Sequence, residues 1–175
     1  MTKYVAFLRG INVGGINIIS MKDLVELFEK NGLKNVKTIL ASGNAIFESK
    51  EIAESGIIKK IEKAIKEKFD FEIVVQVIRF EIIKKLVEKN PYAQYANNKN
   101  VHLYVTFLNN FDGKLPHVSG ENFELLSFQN DLLFSVLDRQ NGKSTDFMTF
   151  LNKTFGKKVT TRNWNTLVKI AAAVA

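Results

Sequence analysis

Apolar residues along the chain fall into short runs and alternations, and their spacing outlines a sequence of compact elements. Tyr4 to Leu8 is an unbroken apolar run of strand length, as expected for a strand buried on both faces. A polar, glycine-rich stretch follows, and then Leu24, Leu27 and Phe28 recur at helical spacing. Ser20 with Asp23 three residues on marks the start of that helix and Asn31-Gly32 its end. Val36 to Ala41 and Asn44 to Ser49 read as two strands of a hairpin joined through Ser42-Gly43. Ile57, Ile61, Ala64, Ile65 and Phe69 outline a second amphipathic helix, and Glu72 to Arg79 alternates as a fourth strand.

That order, β-α-β-β-α-β, is the split βαβ or ferredoxin-like unit, whose right-handed crossovers predict a sheet of order fourth, first, third, second. The C-terminal end of the first strand then lies beside the start of the third. Phe80 to Lys89 reads as a connecting helix broken by Asn90-Pro91, and residues 91–100 as a polar linker. Beyond it, Tyr104-Val105-Thr106-Phe107-Leu108 echoes Tyr4-Val5-Ala6-Phe7-Leu8. Phe123 to Phe128 and Asn130 to Phe134 read as a hairpin, Thr145 to Phe155 as a helix and Val159 to Thr161 as a strand, with a last helix from about Asn163. Only about a dozen residues separate the first two strands of this half, too few for a crossover helix. The predicted fold is therefore α+β: two ferredoxin-like modules, residues 1–90 and 101–175, with mostly antiparallel sheets and the second copy eroded.

Two polar clusters interrupt this pattern. Strand order brings Arg9, Gly10 and Asn12, with Gly14 and Gly15, next to Ser42, Gly43 and Asn44; the glycines allow positive φ and close approach of a ligand. The second cluster is Thr161-Arg162-Asn163-Trp164-Asn165-Thr166, around the single tryptophan of the chain. Asn163 or Thr161 would cap the last helix, and its free N–H groups with Arg162 would form an anion site.

Composition sharpens that reading. The chain has 175 residues, is 46% hydrophobic and 25% charged, and contains no cysteine, which excludes disulfides and thiolate metal sites. Of its 25 basic residues only four are arginines, Arg9, Arg79, Arg139 and Arg162. In a chain so rich in lysine, arginine marks places where a planar, bidentate donor is needed. For Arg79 and Arg139 an interior salt bridge is an equal reading. The net charge of +7 is spread over both halves and makes no basic arm. No stretch has the form of a leader or a membrane span, so the chain is expected to be cytoplasmic and unanchored.

Arg9-Gly10-Ile11-Asn12-Val13-Gly14-Gly15, Ser42-Gly43-Asn44 before an apolar strand, and Thr161 to Thr166 together resemble a bacterial family known as domain of unknown function 1697, over nearly the whole chain. The resemblance implies a two-module α+β fold and no established activity. That family commonly follows the glycine pair with Lys-Asn-Lys. Here Ile16-Asn17-Ile18 stands instead, so no phosphate-ligand role of those lysines is carried over.

Other chemistry is excluded more easily. His102 and His117 read as structural, and no zinc spacing or Ser-His-Asp arrangement is present. The glycine loop is neither a Walker A nor a Gly-x-Gly-x-x-Gly motif. Thus no metal or cofactor is called for, and whether the chain is an enzyme stays open because no base can be named. Three readings follow: binding of a small phosphate- or carboxylate-bearing ligand by Arg9, Gly10, Asn12, Gly14, Gly15, Ser42, Asn44, Arg162, Asn163, Trp164 and Asn165 as one site; nucleic-acid binding; or motifs that only lock the modules. An RNA-recognition sheet needs aromatics on its central strands, and Ser42-Gly43-Asn44-Ala45-Ile46-Phe47 lacks the stacking pair. Oligomeric state is not encoded in any pattern found.

Overall fold

The computed structural model describes residues 1–95, 98–108, 111, 114–116, 118, 122–129, 131–140, 144–156 and 158–174. His117 and Asn130 lie outside them. The chain forms two compact units, Met1–Glu88 with Lys169–Ala175, and Lys89–Val168. The last seven residues thus belong to the first unit, where Lys37 Nζ donates to the Ala173 carbonyl at 2.9 Å.

In the first unit, strands β1 (Thr2–Leu8), β2 (Lys34–Thr38), β3 (Asn44–Ser49) and β4 (Val75–Arg79) form an antiparallel sheet of order β2-β3-β1-β4. Helices α1 (Met21–Lys30) and α2 (Glu54–Phe69) cover one face, and α3 (Phe80–Lys89) follows β4. Tyr4, Ala6 and Leu8 point into a core with Leu24 and Phe28 of α1 and Ile57, Ile61 and Ile65 of α2. Alternation puts Val5 and Phe7 on the other face, and both are fully buried too, as the unbroken apolar run requires. Helix α1 starts where its cap predicts: Ser20 Oγ accepts from the Asp23 amide at 3.0 Å and donates to its carboxylate at 2.6 Å. It ends at Asn31-Gly32, where Gly32 takes φ +83° and the Leu33 amide reaches the Phe28 carbonyl at 3.1 Å. The β2–β3 connection is longer than the expected tight turn. Leu40 adopts φ +61°, a left-handed conformation that no strand can pass through, so β2 stops at Thr38.

In the second unit, β5 (Val101–Phe107), β6 (Phe123–Gln129), β7 (Leu132–Asp138) and β8 (Thr160–Asn163) repeat the plan as β6-β7-β5-β8, again antiparallel. One helix, α4 (Ser144–Phe155), packs Phe147 and Leu151 on Tyr104, Leu108, Leu133 and Leu137, and α5 (Trp164–Ala172) follows β8. The registers match between copies. Tyr4 stands opposite Arg79 and Tyr104 opposite Asn163; the Leu8 amide donates to the Gly43 carbonyl and the Leu108 amide to that of Asp131, both at 2.8 Å. Where the first copy inserts α1, rings fill the second core. Phe111 lies 5.0 Å from both Phe128 and Phe155, and Phe123 lies 4.8 Å from Phe150.

The polar stretch after Pro91 is built into the second unit. Tyr92 is buried, its hydroxyl donating to the Tyr104 carbonyl and accepting from the Ser135 amide at 3.1 Å, and a 3-10 turn (Ala93–Tyr95) follows.

Candidate functional site

The residues singled out by sequence fall into two groups, one in each unit. In the first, the glycine loop is a miniature hairpin. Gly14 and Gly15, at φ +59° and +78°, form the two-residue turn between Val13 and Ile16 that positive φ at both central positions permits. Asn12 closes it, its amide nitrogen meeting the Asn17 carbonyl at 3.2 Å. A Cβ on Gly10, Gly14 or Gly15 would touch nothing within 4 Å, so these glycines serve the backbone angle and not a close approach within the chain.

The amides of this group hold loops together. Asn12 Nδ2 donates to the carbonyls of Ile19 and Ala41 at 2.9 and 2.8 Å, while its Oδ1 accepts from the Ile19 amide at 2.9 Å. Asn44, fully buried, donates to the Ile39 carbonyl at 2.9 Å and to Ser42 Oγ at 3.1 Å. Asn17 donates to the Gly10 carbonyl at 3.2 Å. Arg9 is half-buried, and that burial holds its guanidinium below the ordinary arginine value.

In the second group Arg162 departs from expectation. It belongs to β8, opposite Val105, and not to a helix start, because β5 continues the ladder as far as Asn163. Its guanidinium donates to the Thr161 carbonyl at 3.0 Å, and burial lowers its pKa to about 10. Asn163 ends the strand and caps α5, its Oδ1 accepting from the Asn165 amide at 2.9 Å. Trp164 is buried edge-on to Tyr92, ring centroids 5.2 Å apart.

Asn163, Trp164 and Asn165 form one wall of a cavity of about 700 Å³ that lies wholly in the second unit. Lys99, His102 and Arg139 bring cationic or protonatable groups to it, and Asn90 and Asn98 bring further amides. Among the described residues no carboxylate side chain lines it. His102 Nδ1 lies 2.9 Å from the Tyr104 hydroxyl; burial, and then repulsion by Arg139, hold the imidazole below its ordinary pKa. Arg139 enters none of the ion pairs among the described residues, which involve Asp23, Glu67 and Asp70. Sequence reading missed Lys99, Asn90 and Asn98 because they sit in a segment that looked like a linker. Asparagine density beside two tyrosines was the available signal. Among the described residues no group of three His, Cys, Asp or Glu could hold a metal, and no helix is long and apolar enough to cross a membrane.

The model of a family described as "Protein of unknown function (DUF1697)" matches residues 1–124, about 71% of the 175. The chain belongs to that family. The match takes in Met1–Glu88 of the first unit and the cavity's Asn90 to Leu103 side. A solved structure, "conserved bacterial protein SP0830 from Streptococcus pneumoniae", is similar with a TM-score of 0.75 and 22% identity, over 99% of each chain. At that identity it shows a shared fold, including the part beyond residue 124. No curated protein matches the chain.

Proposed function

We propose that this DUF1697 chain binds a small anionic ligand, phosphate- or carboxylate-bearing, in the cavity of its second unit. The observation that carries the reading is the lining: among the described residues Lys99, His102 and Arg139 with four asparagines, and no carboxylate to repel an anion or to neutralise the cations. Arg139 supplies a planar fork, Lys99 a mobile charge, and Asn163 and Asn165 neutral groups at the start of α5. Arg162, on β8, is not among the lining residues.

Two other readings are weaker. Nucleic-acid binding on a ferredoxin-like sheet requires an open face. Val5 and Phe7 on β1 and Val105 and Phe107 on β5, which lie opposite the helix-covered faces, are all buried. A structural reading does suit the motifs of the first unit, because the Asn12 and Asn44 amides are spent on backbone carbonyls and on Ser42.

Calorimetric titration with inorganic phosphate, small carboxylates and their organic phosphate esters tests the proposal. Saturable binding should weaken about tenfold or more in Arg139→Gln, the loss expected for a charge-assisted hydrogen bond, with the melting temperature of the free protein unchanged because Arg139 is exposed. No binding by any of these anions would refute it.

A further inference from the structure

We infer that the anion taken by the second-unit cavity is a nucleoside monophosphate, held with its phosphate at the Lys99–Arg139 end and its base at the Asn163–Trp164 end; this rests on the proposal that the cavity binds an anion at all. The strand register carries the argument. Val101 stands opposite Asp138, so Lys99 and Arg139 flank the N-terminal end of β5, and the Arg139 amide reaches the Asn100 carbonyl at 2.7 Å. Tyr104, three residues along the same strand, stands opposite Asn163. Three strand residues span about 10 Å. The cavity is therefore bipolar, with charge at one end and amides and rings at the other. A lone phosphate would leave most of its 700 Å³ empty.

The stretch from that cationic end toward Asn163 has what a base requires. β8 pairs with β5 only from Tyr104 to Phe107, so along Val101–Leu103 the backbone edge on that side has no strand partner among the described residues, and those three residues line the cavity. Unpaired backbone N–H and C=O groups together with asparagine amides present alternating donors and acceptors, the complement of the polar edge of a nucleobase. Asn90, also lining, has its Oδ1 buried with no hydrogen-bond partner among the described residues. Tyr95 and Trp164 add aromatic side chains to the lining, the residue type on which bases stack. A peptide carboxylate would also suit the cationic end, but three residues of free edge are too few to register an added strand.

The position of the single tryptophan makes the test direct. Trp164 fluorescence, excited at the red edge of its absorption and checked by calorimetry, is followed while AMP, GMP, CMP, UMP, the matching nucleosides, ribose 5-phosphate and inorganic phosphate are titrated into the full chain. At least one monophosphate should bind about tenfold or more tightly than ribose 5-phosphate and than its own nucleoside. Arg139→Gln should remove the advantage over the nucleoside, and Asn165→Ala should reduce the differences among the four bases. If ribose 5-phosphate or inorganic phosphate binds as tightly as every monophosphate, the inference falls and the anion site stands. If no compound in the set binds, the inference falls, and the anion site falls with it when small carboxylates fail to bind as well.

Discussion

A methyl group on Gly43 would sit 2.9 Å from two carbons of Ile11 and 3.0 Å from Leu8 Cβ, at a φ of +79°. Gly14 has a similar φ of +59° but open space around it. The two positions therefore separate backbone strain from packing. Gly14→Ala should cost about 1–2 kcal/mol, the left-handed penalty alone, and Gly43→Ala about 2–4 kcal/mol, with the overpacking added. Urea midpoints of the two variants measure the difference, and equal values would show that Ile11 moves aside freely. His102 offers a second test at this scale. Burial and Arg139 keep its folded pKa below 6.5, so as pH falls the unfolded chain takes up the proton first. Its contribution to stability is complete above pH 6.5 and drains away as pH falls from there to the folded value. Between about pH 7.5 and about pH 5.5 the wild type should lose more stability than His102→Gln. A bound phosphate reverses the local field, so anion affinity should rise over the same interval.

Among the elements, the segment from Asn90 to Asn100 was the least legible, and it brings Asn90, Tyr92, Tyr95, Asn98 and Lys99 to the cavity. Its composition is that of a linker, yet one side chain, Tyr92, fixes it: the ring packs on Trp164 and Phe134, and the hydroxyl serves the Tyr104 carbonyl and the Ser135 amide. Burial raises its pKa well above that of a free phenol, which keeps the donor in place. Tyr92→Phe removes both of these hydrogen bonds from a buried site and should lower stability by about 1–3 kcal/mol while shifting Trp164 emission, both read in one fluorescence-detected unfolding curve. Elements whose signals are local were read correctly from sequence. The Ser20 cap, the Asn31-Gly32 stop, the strand order of the first sheet and the limits of α3 all stand. Ends fixed by tertiary pairing were not. Arg162 looked like the residue before a helix because Thr160 to Thr166 is uniformly polar, and only its ladder with Val105 makes it a strand residue. The cavity was half visible: Asn163, Trp164 and Asn165 stood out as a motif, whereas Lys99 and His102 became neighbours of Arg139 only through the β5–β7 pairing.

At the scale of the whole molecule, the chain is one plan used twice with different content. The register that puts Ile78 opposite Val5 puts Arg162 opposite Val105, and the position of Arg79 in the first copy is held by Asn163 in the second. The second copy is thus polar at both positions of this strand, Arg162 and Asn163, where the first copy has Ile78 and Arg79. Among the described residues, the core of the second copy is closed largely by aromatic rings. The same plan argues against a role in nucleic-acid binding. The net charge of +7 is shared by both halves, and the sheet faces that would stack bases are buried. A filter-binding series with generic single-stranded RNA and double-stranded DNA should therefore show only weak retention that disappears as salt rises to physiological strength. Submicromolar binding that persists there, and that Val105→Asp on the buried face of β5 abolishes without unfolding the chain, would mean that this face opens in solution and would return the sheet to the list of functional surfaces.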